Sequence, residues 1–362
     1  MAFFRPVFGY APPMTATAHS RRQFASDNCA GICPEAWAAL AAANAGHAVS
    51  YGEDPWTGQA CDLIREVFET DCDVFFVFNG TAANALALAA CGRSFHAIFC
   101  HRHSHVEDAE CGGPEFFSGG SKLVLLPGDD GKLDPATLER AARLRPDFHY
   151  PKPGAVTLTQ CTEHGTVYSA DEIRALSATA HRLEMKVHLD GARFANAVAW
   201  LGCPPKEITW RAGVDVLSFG ASKNGIAVGE AVVFFDRALA REFDYRTKQA
   251  GQLASKMRFL SAPWVGLLAD GAWLRHARHA NTMAQRLEAG LRGVPDVAQS
   301  YPCQANAVFV RMTEPLVQAL HARGWMFYQM HGEPDYRLMC AWDTTAADVD
   351  AFVKDVRELA AA

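Results

Sequence analysis

Val214-Asp215-Val216-Leu217-Ser218-Phe219-Gly220-Ala221-Ser222-Lys223-Asn224-Gly225 is an apolar run that ends in a glycine-bounded turn carrying a lysine. Its length and hydrophobicity are those of a buried strand, where an amine is rarely left without a task. Upstream, Lys186-Val187-His188-Leu189-Asp190-Gly191-Ala192-Arg193 reads as a second strand whose end delivers a carboxylate, Asp190, just before a turn. Outward from this pair, strand-length apolar segments alternate with helical patterns from about residue 60 to residue 240. That alternation predicts an α/β fold with a doubly wound, mainly parallel sheet covered by helices. The expected strands are 74–78, 96–100, 122–126, 155–160, 186–190, 214–219 and 231–235. Helices are expected near 82–90, 135–144 and 170–183, the last two capped by Asp134 and Ser169.

Towards the C-terminus the rhythm changes. One long helix near 264–291 leads to strands near 307–312, 325–329 and 336–341, and a final helix follows Asp343-Thr344-Thr345. The expected organisation is an N-terminal segment, 1–45, packed on the small domain, a large domain, 46–274, and a small α/β domain, 275–362. The N-terminal segment contains an alanine-rich helix near 36–45.

Composition narrows the function classes. With 362 residues, 49% hydrophobic and 20% charged, the chain can bury a sizeable core without disulfides or metal. A net charge of −6 and the lack of any lysine/arginine block interleaved with aromatics argue against nucleic acid and anionic membranes as partners. The 11 cysteines are odd in number and irregular in spacing, which fits reduced thiols in a cytoplasmic protein. Residues 1–20 hold prolines and no sustained apolar run, so neither leader nor anchor is expected there.

An acid and a lysine at the ends of neighbouring strands suggest pyridoxal phosphate. That cofactor needs a lysine amine to hold it covalently and an acid to keep its ring nitrogen protonated. Asn79-Gly80-Thr81-Ala82-Ala83-Asn84 follows a strand and opens a helix, and the free amides of such a start, with Gly80 and the Thr81 hydroxyl, suit the phosphate. In Cys100-His101-Arg102-His103-Ser104-His105, three histidines at period two also invite a zinc reading, but no second ligand cluster with zinc spacing accompanies them. The preferred use is His105 covering the flat face of the pyridine ring, with no metal. Glu107, Asp108, Glu110 and Glu115 lie near that loop, and at least two are expected to be solvated. Arg193, three residues past Asp190, is placed to bond the cofactor's phenolate oxygen or a nearby carboxylate. In the loop Gln160 to Tyr168, His164 and Glu163 are candidates to take or relay a proton. Arg337 can clamp an amino acid carboxylate, and Ser26 can add a hydroxyl or simply cap a turn. Arg246, Lys248, Lys256 and Arg258 form a basic patch that is either a solvated face or a source of a cation for the phosphate, reaching in from a second subunit.

Together these residues resemble the L-threonine aldolases, the β-eliminating lyase branch of the aspartate aminotransferase-like (fold type I) enzymes. The matching pieces are Ser26-Asp27-Asn28, Asn79-Gly80-Thr81, Ser104-His105 with Glu110 to Phe117, Thr159-Gln160 with Gly165 to Tyr168, His188 to Arg193, Ser222-Lys223, Lys256 to Phe259 and Arg337 to Asp343. The similarity is greatest to the low-specificity bacterial branch. It implies that Lys223 anchors pyridoxal 5'-phosphate, Asp190 partners the ring nitrogen and His105 stacks on the ring. It further implies that Gly80, Thr81 and Arg258 hold the phosphate, that Arg193 lies near the phenolic oxygen, and that Ser26 and Arg337 bind the substrate carboxylate with Arg193 beside them. Some relatives carry a histidine at or beside the position of Glu163, so the resemblance leaves the proton acceptor open between neighbours. The implied reaction is reversible cleavage of L-threonine or L-allo-threonine, with β-arylserines such as phenylserine as further candidates, to glycine and an aldehyde. Homodimers or homotetramers with sites at subunit boundaries are implied too. An aminotransferase or a β-eliminating amino acid lyase would share Lys223 and Asp190 and is the alternative.

Overall fold

A computed structural model describes residues 22–330 and 335–361. The large sheet has seven strands, β1 (Asp73–Val77), β2 (His96–His101), β3 (Lys122–Leu126), β4 (Lys152–Thr159), β5 (Lys186–Gly191), β6 (Val216–Phe219) and β7 (Glu230–Phe234). Their spatial order is β1-β7-β6-β5-β4-β2-β3. Strands β6, β5, β4, β2 and β3 run parallel, and β7 is antiparallel to both its neighbours. The expected large parallel sheet is therefore present, with one reversed strand. That reversal matters for the site: the first residue of β7, Glu230, pairs with Val77 at the end of β1. It thus lies at the same sheet edge as the ends of the parallel strands.

Local chemistry sets the element boundaries as the sequence suggests. Asp134 caps helix Pro135–Ala142 by accepting from the Thr137 amide at 2.9 Å. Ser169 and Glu172 form a capping box on Ala170–Arg182, and Thr345 and Asp348 form another on Ala346–Ala360. The strand that delivers Lys223 is anchored by aromatic packing. Phe219, fully buried, meets Phe68, Phe194, Trp264 and Trp273 at ring-centroid distances of 4.9–5.7 Å. Truncating such a side chain costs about 3–5 kcal/mol.

The second sheet has four strands, β8 (Val297–Gln299), β9 (Ala307–Met312), β10 (Tyr328–Gln329) and β11 (Asp335–Met339), in the antiparallel order β10-β11-β9-β8. Strand β8 and helix Glu314–Ala322 were not expected from the sequence.

Two expectations are corrected. The single helix near 264–291 is two helices, Arg258–Leu268 and Ala272–Leu291. Asp270 and Gly271 adopt left-handed φ values of 50° and 65°, which no continuous α-helix admits. The strand near 325–329 shortens to Tyr328–Gln329, because Met326 bonds instead to the backbone of Arg22 and Phe24.

The N-terminal segment divides between the two sheets. Phe24 joins the core of the small domain with Trp325 and Phe352, whereas helix Pro34–Ala43 packs on Arg258–Leu268 beside the large sheet. Helix Ala272–Leu291 spans both cores, giving Trp273 and Ala277 to one and Met283, Ala284, Leu287 and Leu291 to the other. The part of the expected N-terminal segment at 1–21 lies outside the described residues.

Candidate active site

Five chain segments converge at the C-terminal edge of the parallel strands, where open α/β sheets place their ligands. They lead from β1 to Asn79-Gly80-Thr81, from β2 to His105, from β5 to Asp190 and from β6 to Lys223, while β7 contributes Glu230. All of these residues line one cavity, together with Asn84.

Lys223 sits half-buried in the short 3-10 turn Ser222–Asn224. It has no hydrogen-bond or ion-pair partner among the described residues, so its amine is available to a ligand. Beneath the turn, the buried Glu230 carboxylate accepts from the Ala221 amide at 2.6 Å and the Ser222 amide at 3.4 Å. Burial raises the Glu230 pKa against those hydrogen bonds. Gly220 is required for the approach to β5, since a Cβ there would lie 2.6 Å from the Ala192 backbone.

Asp190 is 2% exposed. One carboxylate oxygen accepts from the Ala192 amide at 3.1 Å and the other from the Asn84 side-chain amide at 3.0 Å. At the cavity's other end, Asn79 caps helix Gly80–Ala90 through the Ala82 amide at 2.9 Å. The first-turn amides of Gly80 and Thr81 have no partner within the helix. A Cβ on Gly80 would meet nothing within 4 Å, so the helix start opens onto free space.

His105 starts the short helix His105–Asp108, with its Nδ1 2.7 Å from Glu110 Oε1. A carboxylate only accepts, so Nδ1 carries the proton and Nε2 is left for the cavity. The Glu110 contact raises the His105 pKa against its partial burial. Glu110 is itself 3% exposed, and burial pushes its carboxyl up. Of the four acids near this loop, Glu107 and Asp108 are exposed while Glu110 belongs to the site. The other histidines of the run take separate partners: His101 Nε2 faces the Gly128 carbonyl at 3.1 Å, and His103 Nδ1 lies 3.7 Å from Asp108. Elsewhere Cys33, Glu35 and His276 stand close enough to share an ion, but Glu35 is already bonded by Arg275 and His276.

Arg193 forms a buried bidentate pair with Asp27, at 2.7 and 3.0 Å. Burial alone would raise the Asp27 carboxyl; Arg193, with Asn306 at 3.1 Å, brings it down to about 2. The nearby carboxylate that Arg193 reaches is therefore one of the protein's own. Arg337, in β11, gives one Nη hydrogen to the Ala25 carbonyl at 3.3 Å, and its buried Nε is unsatisfied. Burial and the neighbouring Arg193 lower its pKa. Ser26, next to Ala25, accepts from the Asn28 amide at 3.1 Å as a cap, which leaves its hydroxyl proton free to donate.

Five sequence candidates are not among the residues lining this cavity: Ser26, Arg193 and Arg337, which meet at Ala25 to Asp27 next to the lining residue Asn28, and His164 and Arg258. His164 stacks on Tyr301 at 4.2 Å and is not among the residues lining it. Arg258 opens on a different hollow with His47, Val49 and Trp56. The sequence reading missed Asn84, Glu230 and the pairing of Asp27. A signal existed for two of them: Asn84 interrupts an alanine-rich buried helix, and Glu230 precedes an uninterrupted apolar strand.

The donor set suits pyridoxal phosphate. It provides a free lysine amine, a buried carboxylate fixed by two hydrogen bonds, a ring positioned by a carboxylate, and a helix start open to an anion.

Comparison with known proteins points the same way. The family model described as β-eliminating lyase matches residues 23–315. A low-specificity L-threonine aldolase of Pseudomonas aeruginosa is 58% identical over 341 residues, 94% of this chain and 98% of that protein. Its counterpart in Escherichia coli is 27% identical over 286 residues, covering 75% and 78%. The solved structure of a Leishmania major threonine aldolase superposes with a TM-score of 0.88 at 28% identity, over 93% of this chain and 99% of that one.

Proposed function

The chain belongs to the β-eliminating lyase family, among the low-specificity L-threonine aldolases, and from that premise we propose that it cleaves L-threonine and L-allo-threonine to glycine and acetaldehyde. The observation that carries this reading is the 58% identity to an enzyme of that name over almost the whole of both chains. The cavity supports the cofactor requirement independently.

Lys223 would hold pyridoxal 5'-phosphate covalently, with the helix start at Gly80 and Thr81 on the phosphate, Asp190 on the ring nitrogen and His105 over the ring. Bound there, the cofactor supplies an electron sink for the pair released when the substrate Cα–Cβ bond breaks. Everything else falls to the protein's own groups. Arg337 and the Ser26 hydroxyl take the substrate carboxylate, which the Arg337 to Ala25 contact places side by side. That grip fixes which bond at Cα stands ready to break. Asp190, fixed by the Ala192 and Asn84 amides, would offer a carboxylate oxygen as acceptor to the ring nitrogen. His105 offers an unprotonated Nε2 to the β-hydroxyl and takes its proton as the aldehyde leaves. His105 lines the cavity and His164 does not, so His105 is assigned this role and His164 orders the loop around Tyr301.

Arg258 opens away from the chain's own cavity. We read it as a cation for the phosphate of a second copy, in a homodimer or homotetramer with sites at subunit boundaries. Among the described residues no helix is long and apolar enough to cross a membrane, and all cysteines are free, in keeping with a cytoplasmic enzyme.

The test is to incubate purified holoenzyme with L-threonine, L-allo-threonine and L-phenylserine and to measure glycine and aldehyde. Equimolar products support the reading. Ammonia with a 2-oxo acid would replace it with β-elimination, and dependence on an added 2-oxo acid with transamination.

A further inference from the structure

Glu110 belongs to no cofactor or substrate contact assigned above, yet it is buried at the centre of a continuous chain of hydrogen bonds. Its Oε1 is 2.7 Å from His105 Nδ1 and accepts from Asn84 Nδ2 at 2.7 Å. The same Asn84 nitrogen donates to Asp190 Oδ2 at 3.0 Å. Both amide hydrogens of Asn84 are thus used, one on each carboxylate. The orientation of the amide follows from its neighbours, because neither carboxylate can donate to an amide oxygen. The remaining oxygens, Glu110 Oε2 and Asn84 Oδ1, are buried and unsatisfied, so each residue is held by the contacts it makes inside this chain.

We propose that Glu110 and Asn84 are positioning residues that join His105 to Asp190: Glu110 fixes the His105 ring and its tautomer, and Asn84 keeps two adjacent buried carboxylates apart. The proposal rests on the threonine-cleaving reading for its chemical meaning. The physics is that of a base made stronger by an acid behind it. With Nδ1 donating to a carboxylate, the imidazole is more basic at Nε2, the atom offered to the cavity. Without the Asn84 amide, the Glu110 and Asp190 carboxylates would face one another in a poorly solvated site with no donor between them, which would push the Glu110 carboxyl up further.

The charged groups facing His105 are Glu110 from its own loop, Glu163 from the loop after β4, Asp190 from β5 and Lys223 from the turn after β6. Of these, only Glu110 is hydrogen-bonded to it. Those facing Glu110 are His105 and Asp190, with the neutral Asn84 between the two acids.

Glu110→Gln isolates the charge. Its amide oxygen can still accept from His105 and Asn84, and its NH2 occupies the place of the unbonded Oε2. Two readouts are taken. In apoprotein, diethyl pyrocarbonate modification of His105 is followed by peptide mass spectrometry against pH, because only the neutral imidazole reacts. In holoenzyme, kcat and KM for L-threonine are measured. Loss of the carboxylate should let His105 lose its proton at lower pH, so that labelling at pH 6 becomes roughly threefold faster. The kcat should fall about tenfold with KM nearly unchanged, and in a His105→Asn background the same substitution should cost less than about threefold.

An unmoved labelling profile, or a full tenfold loss without His105, overturns the proposal. Should Glu110→Gln not fold, Glu110→Asp keeps the charge but withdraws it by one methylene. It should fall measurably below wild type in kcat and label faster at pH 6, and equality with wild type in both overturns the proposal. If wild-type holoenzyme does not cleave threonine, the functional reading fails, while the apoprotein labelling still judges the hydrogen-bonded chain.

Discussion

Two buried acid-base pairs flank the cavity, and they behave in opposite ways. Asp27 and Arg193 are 166 residues apart in sequence, and their bidentate pair, with Asn306 on Asp27, links the N-terminal segment and the smaller sheet to the large one. A guanidinium does not give up its proton in the accessible pH range, so this pair is a fixed charge arrangement. Glu110 and His105 are five residues apart, and both are shifted upwards for different reasons: the Glu110 contact raises the His105 pKa against its burial, and burial raises the Glu110 carboxyl against the His105 contact. In the proposed mechanism one pair therefore serves as a scaffold and the other takes part in proton transfer.

Removing the group that both pairs surround should have the largest effect. Lys223→Ala is expected to abolish turnover and the near-visible absorbance of lysine-bound cofactor, as read by spectrophotometry and a glycine assay, while both pairs persist. Retained turnover would leave the pairs without a common centre.

Next in size, Asp27→Ala leaves Arg193 buried without its partner and should cost about 3–5 kcal/mol in denaturant unfolding. The pH dependence sharpens the contrast. The Asp27 carboxyl sits at about 2 in the fold against an ordinary 3.8. Its contribution of about 2 kcal/mol is present above pH 3.8 and is lost as the pH falls towards 2. For Glu110 and His105 the folded pKa values are raised. Their contribution is therefore present at low pH and is lost as the pH rises through those values. Wild-type unfolding followed across pH should lose the Asp27 contribution as the pH falls and the Glu110 and His105 contribution as it rises, and Glu110→Gln should remove only the second.

Arg337→Ala should raise KM for threonine by about ten- to a hundredfold while cofactor stays bound, since a charge-assisted bond to the substrate carboxylate is lost. A drop in stability with unchanged KM would make Arg337 a structural residue instead. Smallest of all, Ser26→Ala should cost about 1 kcal/mol or less as a lost cap and raise KM a few-fold, measured in the same titration.

The sequence makes the large sheet legible because its strands are apolar runs and three of them, β1, β3 and β4, lead to helices with side-chain caps at Asn79, Asp134 and Ser169. Lys223, Asp190, Gly80 and His105 are readable for a related reason: polar residues at the ends of apolar strands stand out. The small domain is harder to read, because β10 is only two residues long and Trp325 to Phe327 pairs with residues 22–24, about three hundred positions away. The break at Asp270-Gly271 is signalled by its dipeptide but hidden under an apolar periodicity that continues across it. The roles of Asn84 and Glu110 are not legible, because each depends on partners brought together only by the fold. Nothing in Ser26-Asp27-Asn28 announces that Asp27 will meet Arg193.

The most direct test of the central claim is a product assay on purified holoenzyme supplied with L-threonine, run beside Lys223→Ala. Glycine and acetaldehyde in equal amounts from wild type, and neither from the variant, are predicted. Ammonia and a 2-oxo acid from wild type, or aldehyde release that survives the loss of Lys223, would contradict it.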